Sequence, residues 1–177
     1  MNPQNILLIG DSLIAEGNWP TLLPTMTTSA RGIPGETAQE LLDRLTHLAP
    51  EIMTSDATVI MIGTNNLLME DYTFPQIISR IIHSIKKLRP DIKLVTCSLF
   101  PFQSPWLAPD AIQRLNETTE SICRAEQVFF HNLLPSFTAS QVKLFQEDGI
   151  HLNETGYRVW GKSLSKTIAK YLDEDYC

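Results

Sequence analysis

Short apolar runs alternate along the chain with longer segments in which apolar side chains recur every three or four residues. The apolar runs predict five strands, at residues 6–9, 26–30, 57–62, 93–99 and 128–130. The periodic segments predict four helices, one opening at Thr37, one at Thr73, one over 110–124 and one from Asn153 to about 172. Thr37 and Thr73 are followed three residues later by Glu40 and Gln76, the spacing typical of a capping box.

Strands that alternate with helices indicate βαβ units and a mostly parallel sheet covered on both faces. The predicted fold class is therefore α/β, a three-layer α/β/α domain with a five-stranded, mainly parallel sheet. In such sheets the ligand site lies beyond the carboxyl ends of the strands. The loops that follow the strands are therefore where we look for chemistry.

Length and charge narrow the function classes. With 177 residues and an even composition, the chain is expected to form a single domain over 1–177. A net charge of −6 argues against a nucleic-acid surface and against a polybasic lipid anchor.

Cysteine usage and the N-terminus bear on the compartment. Cys97, Cys123 and Cys177 are widely spaced and form no disulfide framework, which favours a reducing compartment. No stretch approaches the about 18 apolar residues of a membrane span, and the start of the chain has no signal-peptide pattern. We therefore expect a cytoplasmic protein.

Four polar segments lie at predicted strand exits or just before the last helix. They read GDSL at 10–13, GIPGET at 32–37, GTNN at 63–66 and DGIHLN at 148–153. Together they supply a hydroxyl, an imidazole, a carboxylate and hydrogen-bond donors at one edge of the predicted sheet. This combination of groups is typical of nucleophilic catalysis.

In this order the four segments resemble the blocks of the SGNH, or GDSL, hydrolases, a family that includes lipases, thioesterases, carbohydrate deacetylases and platelet-activating-factor acetylhydrolase-like enzymes. Ser12, Gly35, Asn65 and His151 match the residues for which the family is named. The resemblance spans almost the whole chain and implies a flavodoxin-like strand order, 2-1-3-4-5, and no cofactor. One departure is Asn66, where the family often has Asp; we expect a structural role for it.

The chemistry of these residues agrees with the resemblance. A serine hydroxyl needs an adjacent base, so we expect Ser12 to attack, His151 to carry its proton, and Asp148 to orient the imidazole. The backbone N–H groups of Ser12 and Gly35 and the side-chain amide of Asn65 would stabilise the oxyanion, each by about 3 kcal/mol in a preorganised dry site. The predicted activity is hydrolysis of a small-molecule carboxylic ester, with short acyl chains preferred, through an acyl-enzyme.

Each of these residues also has a structural interpretation. Ser12 could cap a helix, Gly35 could serve a turn, Asn65 could be a turn residue, and Asp148 could be a solvated loop carboxylate. Asp11 is expected to bond nearby loop N–H groups rather than to act as a second base.

Other features carry weaker hypotheses. His131 follows a strand and could touch the site, whereas Cys97 lies mid-strand and is typical of a core residue. Residues 156–163 match the phosphate-loop pattern GxxxxGKS, but they lie inside a helical period and follow no strand. No metal site is predicted, because no His, Cys and carboxylate residues have zinc-like spacing. The apolar segment 99–109 either walls the acyl or leaving-group pocket or packs on the core.

Two other functions stay open at this point. An acyltransferase or a thioesterase would use the same three residues, with a different acceptor or a different substrate bond. A non-catalytic binding module of flavodoxin-like shape would use none of them. The sequence specifies no interface, so no oligomeric state is predicted.

Overall fold

The structure, a computed structural model, describes residues 4–102 and 107–173. Its centre is a sheet of five strands: β1 (Gln4–Gly10), β2 (Met26–Gly32), β3 (Ala57–Met61), β4 (Lys93–Cys97) and β5 (Phe129–His131). The strand order is β2-β1-β3-β4-β5, and every neighbouring pair is parallel. This confirms the predicted fold class and the strand order that the resemblance implied.

Helices cover both faces of this sheet. They are α1 (Ser12–Ala15), α2 (Trp19–Leu22), α3 (Ala38–Thr54), α4 (Thr64–Leu68), α5 (Phe74–Leu88), α6 (Ala111–Ala125), α7 (Leu134–Thr138) and α8 (Glu154–Asp173). One apolar core joins α3, α5 and α6 to one face, and a second joins α1, α2, α7 and α8 to the other. Alternate residues of β1 enter the two cores, Leu7 and Ile9 the first and Ile6 and Leu8 the second. No helix of the described residues is long and apolar enough to cross a membrane.

The helix starts show where the predictions held. Thr37 and Glu40 form the predicted capping box. Asn153 accepts a hydrogen bond from the N–H of Gly156, as an N-cap should. At α5 the prediction was wrong in detail: Thr73 occupies the N-cap position without a side-chain cap bond. Its hydroxyl donates to Asp71 at 2.6 Å instead.

The last helix is tied to the start of the chain through aromatic side chains. The ring of Trp160 lies edge-on to Trp19 and to Phe100, with ring centroids 4.8 and 5.1 Å apart. The hydroxyl of Tyr157 donates to the backbone carbonyl of Leu13 at 3.0 Å. Since Leu13 follows the predicted nucleophile, these contacts fix the N-terminal end of α8 beside it. Residues 156–163, the phosphate-loop match, lie within α8.

The turn after β1 is tightly packed at Gly10 and Asp11. A Cβ on Gly10 would lie 1.7 Å from the carbonyl oxygen of Met61, so only glycine fits there. Asp11 is fully buried and caps α1, its Oδ1 accepting the N–H of Leu13 at 3.0 Å. Its Oδ2 has no partner among the described residues. Burial raises the pKa of Asp11 to about 7.

A second tie joins the loop after β3 to the start of α3. Buried Asn66 accepts a hydrogen bond from the N–H of Ala38 at 2.8 Å and donates one to Asp71 at 2.8 Å. This is the structural role expected for Asn66. An ionised carboxylate can only accept, whereas an amide accepts on one side and donates on the other, which explains asparagine here once Asp71 is its partner.

Replacing Asp11 by Asn should change how stability depends on pH. The pKa of Asp11 is 3.8 in the unfolded chain and about 7 in the folded protein, so between these pH values the folded state holds a proton that the unfolded chain has released. This group therefore makes the free energy of unfolding fall as the pH rises from 3.8 to about 7. Asp11→Asn keeps an acceptor for Leu13 and removes the ionisation. We expect it to reduce the fall by on the order of 3 kcal/mol, measured by urea unfolding at both ends of the window. An unchanged pH dependence would contradict this account.

Replacing Asn66 by Asp should destabilise the fold at neutral pH, because two carboxylates would then face each other in a partly buried site. We expect a loss of about 1–3 kcal/mol in the free energy of unfolding. Adding Asp71→Asn in the same chain restores a donor–acceptor pair and should recover most of that loss. Additive effects of the two substitutions in urea unfolding would argue against the proposed exchange of partners.

Candidate active site

Ser12 lies at the carboxyl end of β1, where it is the first residue of α1. The Nε2 atom of His151 lies 3.0 Å from its Oγ, although the two residues are 139 positions apart. Ser12 is 7% exposed, so little of this residue is accessible to solvent. The distance is short enough for a proton to pass directly between the two side chains.

A tight loop holds His151 from the opposite side. The Nδ1 atom of His151 lies 2.6 Å from Oδ2 of Asp148. The other oxygen of Asp148 accepts the backbone N–H groups of Ile150 and His151 at 2.9 and 3.0 Å. These hydrogen bonds, with that from the imidazole first among them, lower the pKa of Asp148 to about 2. Asp148 is therefore ionised at neutral pH and fixes the orientation of the ring.

The loop that carries this pair is closed by backbone hydrogen bonds. Phe145 and Leu152 form an isolated antiparallel bridge. The N–H of Gln146 donates to the carbonyl of His151 at 2.8 Å, and the N–H of Asn153 donates to that of Leu144 at 3.0 Å. The loop thus resembles a short hairpin that ends at the first residue of α8.

Gly35 and Asn65, the predicted oxyanion donors, come from the loops after β2 and β3. Gly35 has φ +82°, a left-handed conformation that favours glycine, and a Cβ there would meet no atom within 4 Å. The side-chain amide of Asn65 donates to the carbonyl of Glu36 at 2.9 Å. The N–H of Ile33 donates to the carbonyl of Gly10 at 2.9 Å. These bonds join the loops after β2 and β3 to each other and to the end of β1.

An ion pair stabilises the loop after β2. The carboxylate of Glu36 is buried and contacts both Nε and Nη2 of Arg44, with Nη2 2.7 Å from Oε2. Nη2 of Arg44 also donates to the carbonyl of Arg31 at 2.7 Å. Burial raises the pKa of Glu36, and the guanidinium partly offsets that rise. Sequence reasoning missed this pair, because its members are eight residues apart across a turn.

Sequence reasoning also missed Glu16. Its Oε1 lies 3.8 Å from Nε2 of His151, on the nitrogen that faces Ser12. Glu16 is the C-cap of α1, four residues after Ser12. That spacing puts two residues on the same side of one helical turn, a signal that could have identified it.

His131 and Cys97, the other two residues considered from the sequence, are not part of this cluster. The Nδ1 of buried His131 lies 2.9 Å from the Thr167 hydroxyl in α8, and burial lowers the pKa of His131 to about 4. Cys97 is buried in the core, and burial raises the pKa of its thiol to about 12. Within the described ranges, no three His, Cys, Asp or Glu side chains are grouped as a metal site would require.

The segment predicted as a possible pocket wall is only partly described. Phe100 and Phe102 are buried, one in each core. Their rings pack inside the molecule, which favours the alternative that this segment packs on the core. Residues 103–106, including Trp106, lie outside the described residues.

The assembled groups can perform acyl transfer. A hydroxyl, an imidazole and a carboxylate form a chain of hydrogen bonds, and amide donors come from two neighbouring loops. The N–H of Ser12 is at the first position of α1, where backbone N–H groups have no acceptor within the helix. Such an arrangement can deprotonate a nucleophile and stabilise the oxyanion that forms when it attacks a carbonyl.

The chain is similar to known proteins in both sequence and fold. The sequence is 25% identical over 185 residues to the platelet-activating factor acetylhydrolase IB subunit alpha1 of Rattus norvegicus, covering 96% of this chain and 77% of that protein. The fold is similar to that of a lipase/acylhydrolase from Enterococcus faecalis, with a TM-score of 0.79, 20% identity and coverage of 94% and 96% of the two chains. It is also similar to a Clostridium thermocellum family 3 carbohydrate esterase, with a TM-score of 0.77, 20% identity and coverage of 96% and 98%.

The family model that matches the sequence covers most of it. Residues 8–159 match the model of the GDSL-like lipase/acylhydrolase family. This range begins in β1, before Ser12, and extends into α8, beyond His151. The chain therefore belongs to the GDSL-like lipase/acylhydrolase family.

Proposed function

We propose that this chain hydrolyses carboxylic esters with short acyl groups through a covalent acyl-enzyme on Ser12. Its family makes it an ester-hydrolysing enzyme; the nucleophile, the base and the acyl preference are our proposal. The observation that carries the proposal is the 3.0 Å distance between Oγ of Ser12 and Nε2 of His151. A hydroxyl at that distance from a neutral imidazole can lose its proton as it attacks.

In the first half of the reaction, Oγ of Ser12 forms a bond to the ester carbonyl carbon while its proton passes to Nε2 of His151. The carbonyl π electrons move onto oxygen, which the N–H groups of Ser12 and Gly35 and the amide of Asn65 stabilise. When the intermediate collapses, the bond to the leaving oxygen breaks and that oxygen takes the proton from Nε2. The alcohol leaves, and the acyl group stays on Oγ.

In the second half, water repeats the sequence in place of the serine hydroxyl. It gives a proton to Nε2 as its oxygen bonds to the acyl carbon, and the proton returns to Oγ when the acyl bond breaks. Asp148, whose pKa lies near 2, stays ionised throughout and stabilises the imidazolium. The products are a carboxylic acid and free enzyme.

Support for a short acyl group comes from a relative. The Rattus norvegicus protein is named as an acetylhydrolase, and an acetyl group is among the shortest acyl groups an esterase can remove. An acyltransferase would use the same first half and replace water by an acceptor alcohol. Measuring acyl transfer against hydrolysis while an alcohol is titrated separates these two functions.

Ser12→Ala should abolish turnover of simple esters. We expect kcat for p-nitrophenyl esters to fall by at least about 10³-fold, since only binding and oxyanion stabilisation would remain. In the unsubstituted protein, activity should be highest from acetate to butyrate among chains up to decanoate. Ser121→Ala, on the exposed side of α6, is the matched control and should retain full activity. Comparable rates in Ser12→Ala and the control would refute Ser12 as nucleophile.

Asn65→Ala should lower kcat far more than it changes KM, because the amide would act on the oxyanion and not on the ground-state ester. We expect a loss of about 10²–10³-fold in kcat. Asn132→Ala, which removes an exposed loop amide, serves as the control. Equal changes in kcat for the two variants, with both folded by circular dichroism, would exclude Asn65 as an oxyanion donor.

A further inference from the structure

A groove of about 620 Å³ runs between the end of α1, the start of α2 and the start of α8. Its floor is apolar and at least partly buried, formed by Leu22, Leu152 and Tyr157. Its rim consists of exposed polar side chains: Glu16, Asn18, Thr21, Gln146, Glu154 and Arg158. An apolar floor with a polar rim fits a small organic molecule that carries several hydrogen-bonding groups.

This groove adjoins the atom that would protonate the leaving group. Glu16 lies on the rim of the groove, and its Oε1 is 3.8 Å from Nε2 of His151. In the mechanism above, the leaving oxygen must lie within hydrogen-bond distance of that same Nε2. The carbonyl oxygen is directed towards Gly35 and Asn65, on the loops after β2 and β3. The alcohol portion of the ester can therefore extend past Glu16 into the groove.

Two of the rim side chains already have hydrogen-bond partners within the protein. Gln146 donates to the carbonyl of Leu152 at 3.0 Å, and Arg158 donates to Thr155 at 3.1 Å. The carboxylate of Glu16 differs, since among the described residues its one ion-pair partner is the imidazole of His151 and it has no side-chain hydrogen bond. It is 41% exposed and free to accept a hydrogen bond from a bound alcohol.

We infer that this groove binds the leaving alcohol of the ester, and that Glu16 selects alcohols with a hydroxyl group on the carbon next to the ester oxygen. This inference rests on the proposed function. Neighbouring oxygens of a diol in the gauche conformation lie about 3 Å apart. With the leaving oxygen hydrogen-bonded to Nε2, the neighbouring hydroxyl can reach an acceptor 3.8 Å from that nitrogen. The substrate class is thus the partial ester of a polyhydroxylated alcohol.

The energetic effect follows from the type of hydrogen bond. A hydroxyl that donates to a carboxylate makes a charge-assisted hydrogen bond, which is stronger than one between neutral groups. Because Glu16 is partly exposed, we expect this bond to give roughly a tenfold preference in kcat/KM, about 1.4 kcal/mol. A methyl ether in place of the hydroxyl removes the donor with little change in shape.

The test compares 2-hydroxyethyl acetate with 2-methoxyethyl acetate, each rate divided by that of hydroxide-catalysed hydrolysis. In the unsubstituted protein we expect the hydroxyl ester to be favoured roughly tenfold in kcat/KM. Glu16→Leu should bring this ratio to about one, and Glu16→Gln should retain part of it because the amide oxygen still accepts. Any general effect of Glu16 on His151 cancels in the ratio.

Glu147→Leu is the matched control, because Glu147 is an exposed carboxylate beside Asp148 that bonds Lys143 and does not line the groove. Its ratio should equal that of the unsubstituted protein. A ratio near one before substitution, with p-nitrophenyl acetate still hydrolysed, overturns the role of Glu16 alone. A tenfold ratio that survives Glu16→Leu overturns it too. Failure to hydrolyse any of the three esters overturns the proposed function together with this inference.

Discussion

The packing of α8 against α1 and α2 is the constraint on which the site depends. The hydrogen bond between Ser12 and His151 joins the first segment of the chain to the last, and neither segment alone could hold it. Buried Trp160 packs against buried Trp19, and the hydroxyl of Tyr157 donates to the carbonyl of Leu13. These contacts set the position of α8 relative to α1 and α2. Aromatic rings have few rotamers and large contact areas, so they set the relative position of two helices more narrowly than aliphatic side chains do.

Three carboxylates lie near Ser12 and His151, and their surroundings give them different properties. Asp148 accepts hydrogen bonds from two backbone groups and an imidazole, so it remains charged. Asp11 lies in the apolar interior with one oxygen unpartnered among the described residues, so it binds a proton more readily. Glu16 is partly solvated and faces the groove. The same functional group therefore has three roles here: Asp148 orients the imidazole as an anion, Asp11 caps a helix in the interior, and Glu16 is an accessible acceptor.

The strands β1, β3 and β4 were the most predictable part of the sheet, because they are buried on both faces. Such strands appear as short, continuous apolar runs, and the α3 start carried a capping box that the structure confirms. The helices α1, α2, α4 and α7 are four or five residues long, too short for a helical period, and were not predicted. The cap at Thr73 was predicted from spacing, but a nearby carboxylate, Asp71, competes for its hydroxyl.

The site divides along the same line. Ser12, Asn65 and His151 stood out because their segments resemble, in order, the blocks of a known hydrolase family. Glu36, Arg44 and Tyr157 did not, since their importance lies in contacts between distant elements. Glu16 falls between these cases, because helical spacing relates it to Ser12 once a helix is known to begin there.

The hairpin-like loop that ends at α8 has a mechanical consequence. Its hydrogen bonds close on themselves, and the four residues from Asp148 to His151 contain both the carboxylate and the ring it orients. Because the carboxylate and the ring share this short loop, a displacement of the loop would move them together. The distance between Nε2 of His151 and Oγ of Ser12 would then change more than the distance within the pair.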